Sequence, residues 1–283
     1  MIQADKVSLL EMQTLMGRLN DIALMCPFLR GFKGPLNENL GWLQCNMGKK
    51  TELSMQAKRD LSVWINFLQD PEVWYPIAPR PMHPPLCRME FTSDAAGFSA
   101  DFECKSKIGV GCIGLDEGGC VNFATQVFWP KAFKKALDCK GKSFGNKTTT
   151  LEMIGLILPF LLCPNLVKGK HIVLRVDNIG CYYGWNSKAI TGDETASIFV
   201  RSLLVLSAYL CCYVHVEHLP RMSSWEARVC DNLSRESTTS ISDKKLVDSF
   251  GYKCPTILLE WLEKPKEDWD LVIKLLNLVE NKC

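Results

Sequence analysis

Four carboxylates stand far apart in this 283-residue chain, each in its own local setting. Asp94 lies in Thr92-Ser93-Asp94-Ala95-Ala96-Gly97 and Glu152 in Thr148-Thr149-Thr150-Leu151-Glu152. Asp177 lies in Arg175-Val176-Asp177-Asn178 and Asp231 in Cys230-Asp231-Asn232-Leu233-Ser234-Arg235. Acids forced together repel, which raises some of their pKa values, and divalent cations relieve the repulsion. Hard Mg²⁺ prefers oxygen ligands, so a set of Asp and Glu without His or Cys suits it. Gathered in space, the four would make a site for two magnesium ions and for cleavage of a phosphodiester.

Such gathering depends on the elements that carry the acids. Cys87, Met89 and Phe91 alternate with Arg88, Glu90 and Thr92, which predicts a strand running out at Asp94. Strands follow over 107–115 and 120–129, separated by the hairpin-like turn Asp116-Glu117-Gly118-Gly119. Helices then interleave with strands: a helix over 151–162, a strand over 172–176 ending before Asp177, a helix over 195–210, a strand over 213–218 and a helix over 224–234. Pro159 should shorten or kink the first of these helices. Three strands in a meander followed by alternating helices and strands predict an α/β fold with a mixed sheet flanked by helices. Asp94 and Asp177 then end strands, and the strand ends of open α/β sheets are where ligands collect.

Each acid also has a plainer reading. An aspartate after a strand starts turns, which covers Asp94 and Asp177. Thr149-x-x-Glu152 is a capping-box pattern, so Glu152 could serve only the start of its helix. Asp231 lies in a helix that packs through Trp225, Val229 and Leu233 and reads equally as an exposed helical acid.

The rest of the chain frames this region. Apolar residues at helical spacing predict a helix over 8–26, ended by Pro27, and a second over 54–68. The prolines at 71, 76, 79, 81, 84 and 85 predict an extended linker. Beyond Ile241 the chain is again helical, with Pro255 opening a helix over 256–262 and a last amphipathic helix over 269–279. The predicted divisions are therefore 1–85, 86–240 and 241–283.

Composition excludes several classes. A 47% hydrophobic, 23% charged chain is an ordinary globular one rather than a disordered tail. Net charge is only +2, so any case for a polyanion partner rests on local clusters. One is Lys131, Lys134, Lys135, Lys140, Lys142 and Lys147, which could line a phosphate-binding surface or form a solvated loop. The 14 cysteines include no C-x-x-C pair, so structural thiols in a reducing, intracellular setting, cytoplasmic or nuclear, are expected rather than zinc ligands. No signal-peptide pattern opens the sequence, and no apolar run reaches the ~20 residues of a membrane span.

From about Cys87 to Arg235 the sequence resembles the ribonuclease H domain of retrotransposon reverse transcriptases, DIRS-like elements first and gypsy-like ones more distantly. The residues carrying the resemblance are Ser93-Asp94-Ala95 with Gly97, Trp129-Pro130, Leu151-Glu152, Val176-Asp177-Asn178, His218-Leu219-Pro220-Arg221 and Asp231-Asn232-Leu233-Ser234-Arg235. In that family an aspartate followed by Leu-Ser-Arg closes the domain. Residues 10–43, with Leu15-Met16-Gly17-Arg18-Leu19, resemble the helical connection after the polymerase palm, and 261–269 the tail beyond the ribonuclease domain. No Tyr-x-Asp-Asp polymerase signature occurs in the sequence, so DNA synthesis is not expected from this chain alone. The resemblance implies the C-terminal portion of a longer polyprotein or a truncated copy.

The resemblance implies a ribonuclease H-like mixed five-stranded sheet, with an N-terminal helical connection and a C-terminal helical tail. It implies two Mg²⁺, with Mn²⁺ as an alternative, and the RNA strand of an RNA–DNA hybrid as substrate, cut to leave a 5′-phosphate and a 3′-hydroxyl. Asp94 would bridge both ions, Glu152 and Asp177 would complete one shell, and Asp231 the other. Asn178 and Ser99 are candidates for 2′-hydroxyl contacts, and the lysine cluster and Arg221 for contacts to the nucleic acid. Cellular relatives carry a histidine before the last aspartate; residues 221–230 have none, which leaves His218 as a possible accessory group. An integrase would place its glutamate last, and a proofreading exonuclease would place Asp and Glu two apart on the first strand; neither pattern is present. The rival from another class is a catalytically silent, nucleic-acid-binding or scaffolding remnant.

Overall fold

A computed structural model of the chain describes residues 6–69, 85–97, 107–133, 148–188, 190, 193–220, 224–263 and 270–282. It divides into two compact units, Met1–Arg80 and Pro81–Cys283. No helix among the described residues is long and apolar enough to cross a membrane.

The first unit is helical. Ser8 caps α1 (Leu9–Met25) by a capping box with Glu11, which satisfies two backbone N–H groups that a helix start leaves without partners. A 3-10 turn (Pro27–Phe32), α2 (Gly34–Cys45) and α3 (Met55–Gln69) follow. Apolar periodicity marks α1 and α3 but not α2, whose start places Pro35 in the first turn, where its missing N–H costs nothing. The buried Trp64 indole on α3 donates to the Phe32 carbonyl at 3.1 Å and ties α3 to the turn. A short antiparallel pairing joins β1 (Val7–Ser8) to β2 (Lys50–Thr51).

The second unit is built on one mixed sheet: β3 (Arg88–Ala95), β4 (Gly109–Leu115), β5 (Val121–Phe128), β6 (His171–Val176) and β7 (Tyr213–His218). The spatial order is β5-β4-β3-β6-β7. The first three strands pair antiparallel as a meander, while β6 pairs parallel to β3, and β7 parallel to β6. The five strands match those expected from the sequence to within two residues. Parallel pairing of β3 with β6 requires a crossover, and α4 (Thr148–Leu162) supplies it.

Alternation along β4 shows where the layers lie. A Cβ on Gly155 of α4 would meet Val110 and Ser93, whereas one on Gly111 would meet Leu233 and Cys230 of α8 (Trp225–Leu233). Neighbouring strand residues face opposite sides, so α4 and α8 cover opposite faces of the sheet. Two further helices back α4, namely α7 (Glu194–Tyr209) and, after α10 (Thr256–Glu263), α11 (Asp270–Glu280). On the other side α9 (Ile241–Phe250) packs beside α8 over β5.

Sequence reading and structure differ at two points. Pro159 does not shorten α4, which runs unbroken to Leu162. Interior proline costs roughly 3 kcal/mol. Leu156, Ile157, Leu158, Phe160 and Leu161 are all fully buried, at about 1.5–3 kcal/mol each, and that burial wins. An unforeseen helix, α6 (Ile179–Ser187), follows Asp177, with α5 (Pro164–Val167) a short turn before β6. The proline-rich linker lies almost wholly outside the described residues. No disulfide joins any two of the 11 described cysteines, and five of them are buried.

Candidate functional site

Strand geometry brings the first two acids together. β3 and β6 run parallel with Thr92 opposite Arg175, so two residues further on Asp94 comes level with Asp177 at the edge where both strands end. Asp94 pairs in register with Gly111, the residue facing α8, so its carboxylate points into the α8 layer. The Ala95 backbone that follows is claimed from the other layer. Glu152 on α4 accepts the Ala95 N–H through Oε1 at 3.1 Å.

That bond decides between the two readings of Glu152. Thr149 lies inside α4 and its hydroxyl reaches the Asn178 side-chain oxygen at 3.4 Å. Glu152 therefore serves β3 across the sheet edge, not a cap on its own helix, and is 1% exposed. Asp94, Glu152 and Asp177 each offer an oxygen, and these three atoms lie within 4.8 Å of one another.

Asp231 comes from the opposite layer. It lines the same cavity as Asp94, Asp177, Thr92 and Val176, a space of about 10 Å³ that suits one water-sized body. Its side chain is only 14% exposed, so it is not a solvated helical acid. It is ion-paired: Arg235 Nη1 lies 2.6 Å from its Oδ1.

Electrostatics follow from this crowding. Burial, then the charges of Asp177 and Asp231, push the Asp94 carboxyl up to about 6, against the opposing pull of Arg235 and the Ser234 hydroxyl. Asp94 Oδ2 and Ser93 Oγ are buried with no hydrogen-bond partner among the described residues. A buried, orphaned carboxylate oxygen beside two further carboxylates suits a hard divalent cation, which takes oxygen ligands and offsets the repulsion.

The remaining sequence candidates divide. Asn178 caps α6, its side-chain oxygen accepting the Cys181 N–H at 3.1 Å. His218 closes β7 with Nε2 3.0 Å from the Asp177 carbonyl oxygen, beside the acids. Lys131 is exposed just after β5. Ser99, Lys134, Lys135, Lys140, Lys142, Lys147 and Arg221 lie outside the described residues.

Several contributors escape a reading by residue type. Trp129 Nε1 donates to the Ala96 carbonyl at 3.0 Å and holds the chain leaving Asp94. Thr150 donates to Asp193 Oδ2 at 2.9 Å, joining α4 to the start of α7. Arg235 reaches back to Asp231 from just beyond the end of α8, four residues on.

No protein-family model matches the chain, and no curated protein does. Among solved structures, LC11 ribonuclease H1, isolated from compost by a metagenomic approach, aligns with a TM-score of 0.36 at 12% identity, over 56% of this chain and 97% of that one. The decisive feature is in the sheet itself: order β5-β4-β3-β6-β7, an antiparallel meander joined to two parallel strands, with helices on both faces. This is the mixed five-stranded sheet flanked by helices that the sequence resemblance implies.

Proposed function

We propose that this chain is a retroelement-derived ribonuclease H that hydrolyses the RNA strand of RNA–DNA hybrids with two Mg²⁺. The observation that carries the reading is the convergence of Asp94, Glu152 and Asp177, from three separate elements, within 4.8 Å at the sheet edge. Asp94, Glu152 and Asp177 would hold one ion, and Asp94 with Asp231 the other. Bound there, divalent cations supply an activated water and positive charge for the departing oxygen of an in-line displacement.

The chain's own residues prepare that chemistry. The Ala95 N–H fixes the Glu152 carboxylate, and the two parallel strands fix the spacing of Asp94 and Asp177. His218 holds the Asp177 main chain and is a positioning residue. The raised Asp94 carboxyl marks an acid set that is uncomfortable empty, so cation binding is favoured. Lys131 and the lysines after it would meet backbone phosphates, and the Asn178 amide a 2′-hydroxyl.

A second reading, a silent nucleic-acid-binding remnant, is favoured by one observation, the Arg235 pair that occupies Asp231. The two separate on an end-labelled RNA–DNA hybrid incubated with the chain in Mg²⁺ and in chelator, beside Asp177→Asn. Chelator-sensitive cutting of RNA alone, lost in the variant, supports the enzyme. Binding without cutting supports the remnant, and equal cutting by Asp177→Asn removes the two-metal reading.

A further inference from the structure

Arg235 is built in, not loosely attached. Ile108, just before β4, bridges its backbone, the Gly109 N–H bonds the Ser234 carbonyl at 2.7 Å, and Thr239 Oγ1 donates to the Arg235 carbonyl at 2.8 Å. From that anchor Nη1 reaches both Asp231 Oδ1, at 2.6 Å, and the Asp231 carbonyl, at 3.2 Å. The Arg235 side chain is 26% exposed, so water screens its charge less than an ordinary surface charge.

Charge counting shows what this cation does. Among these five described groups, four ionised carboxylates and one guanidinium sum to three negative charges. One divalent cation reduces this to one, and a second overshoots to one positive. With a neutral side chain at 235, two divalent cations would balance the four acids.

Resting on the reading of these acids as a divalent-cation site, we propose that Arg235 is the site's resident cation. It stands on Asp231 where a second divalent ion would bind, so the Asp94–Glu152–Asp177 group fills first and Asp231 is held back. Arg235 thereby sets the order and affinity of cation loading, as a positioning residue acting through Asp231.

The test is direct Mn²⁺ titration of the full chain without nucleic acid, following free Mn²⁺ by paramagnetic resonance. Wild type should bind one ion tightly and a second weakly. Arg235→Gln should bind the second about tenfold more tightly, the scale of removing one like charge a few ångströms away in a partly screened site. Arg235→Met keeps the stem packing if the amide disturbs folding, and should behave as Arg235→Gln does. Arg235→Lys keeps the charge and should stay near wild type, which a purely structural role would not predict. Equal second-ion affinity in wild type and the neutral variants overturns the role of Arg235 and leaves the cation site standing. Absence of Mn²⁺ binding in every protein overturns the cation site and this inference with it.

Discussion

Replacing Asp94 by Asn is expected to stabilise the metal-free protein while destroying its metal response. The Asp94 carboxyl is raised from the ordinary 3.8 to about 6, first by burial and then by Asp177 and Asp231. The folded state thus holds this proton more tightly than the unfolded chain, so stability falls as pH rises from 3.8 through about 6 and stays lowered above. At ~1.4 kcal/mol per tenfold, the full loss is about 3 kcal/mol, of which about 2 kcal/mol falls between about pH 4.5 and pH 7.5. Asparagine has the same shape and no charge, so its advantage over wild type should grow by about 2 kcal/mol across that interval. Urea unfolding in chelator, at several pH values and followed by circular dichroism, measures the difference by linear extrapolation. Adding Mg²⁺ should then reverse the order, because only the wild type gains ligand-linked stability. A difference between the two proteins that stays flat with pH would refute the reasoning, since the crowded acid would not be a cost in the empty site.

Three other perturbations probe the same framework. Glu152→Gln keeps an oxygen for the Ala95 N–H, so stability in chelator should change by less than about 1 kcal/mol, while Mg²⁺-dependent cutting and Mg²⁺-induced gain in Tm are lost. In Gly111→Ala the new Cβ would stand 2.5 Å from Leu233 Cβ and 2.6 Å from the Cys230 carbonyl oxygen. Pushing α8 off the sheet should cost about 1–3 kcal/mol in denaturant unfolding and weaken cation binding through Asp231. Trp129→Phe keeps most of the buried ring but strips the Ala96 carbonyl of its donor, a loss of about 1–3 kcal/mol, read as a lower midpoint with an unchanged slope.

Much of the framework was legible because it is written in local periodicity. Alternation along 87–94 marks the first strand, and the turn at 116–119 marks the hairpin between the strands expected over 107–115 and 120–129. The order of helices and strands after residue 148 leaves few ways to arrange the sheet, since parallel neighbours need a crossover. Residue type and position singled out Asp94, Glu152, Asp177 and Asp231, and the structure gathers the first three and lays the fourth against the same cavity.

Tertiary structure decided what local pattern leaves open. Thr149-x-x-Glu152 is a valid cap in sequence, yet the carboxylate turns to Ala95, a residue 57 positions away. Pro159 is a helix breaker by residue type, yet burial on every side carries α4 through it. α6 has aromatic residues and glycines without a clear apolar stripe, so it takes shape from the Asn178 cap and its packing beneath β7. Whether Asp231 meets a cation or Arg235 depends on where β4 anchors residue 235. Periodicity records which way a side chain faces along its own element. The partner it meets is set by distant backbone, and that is known only once the layers have packed.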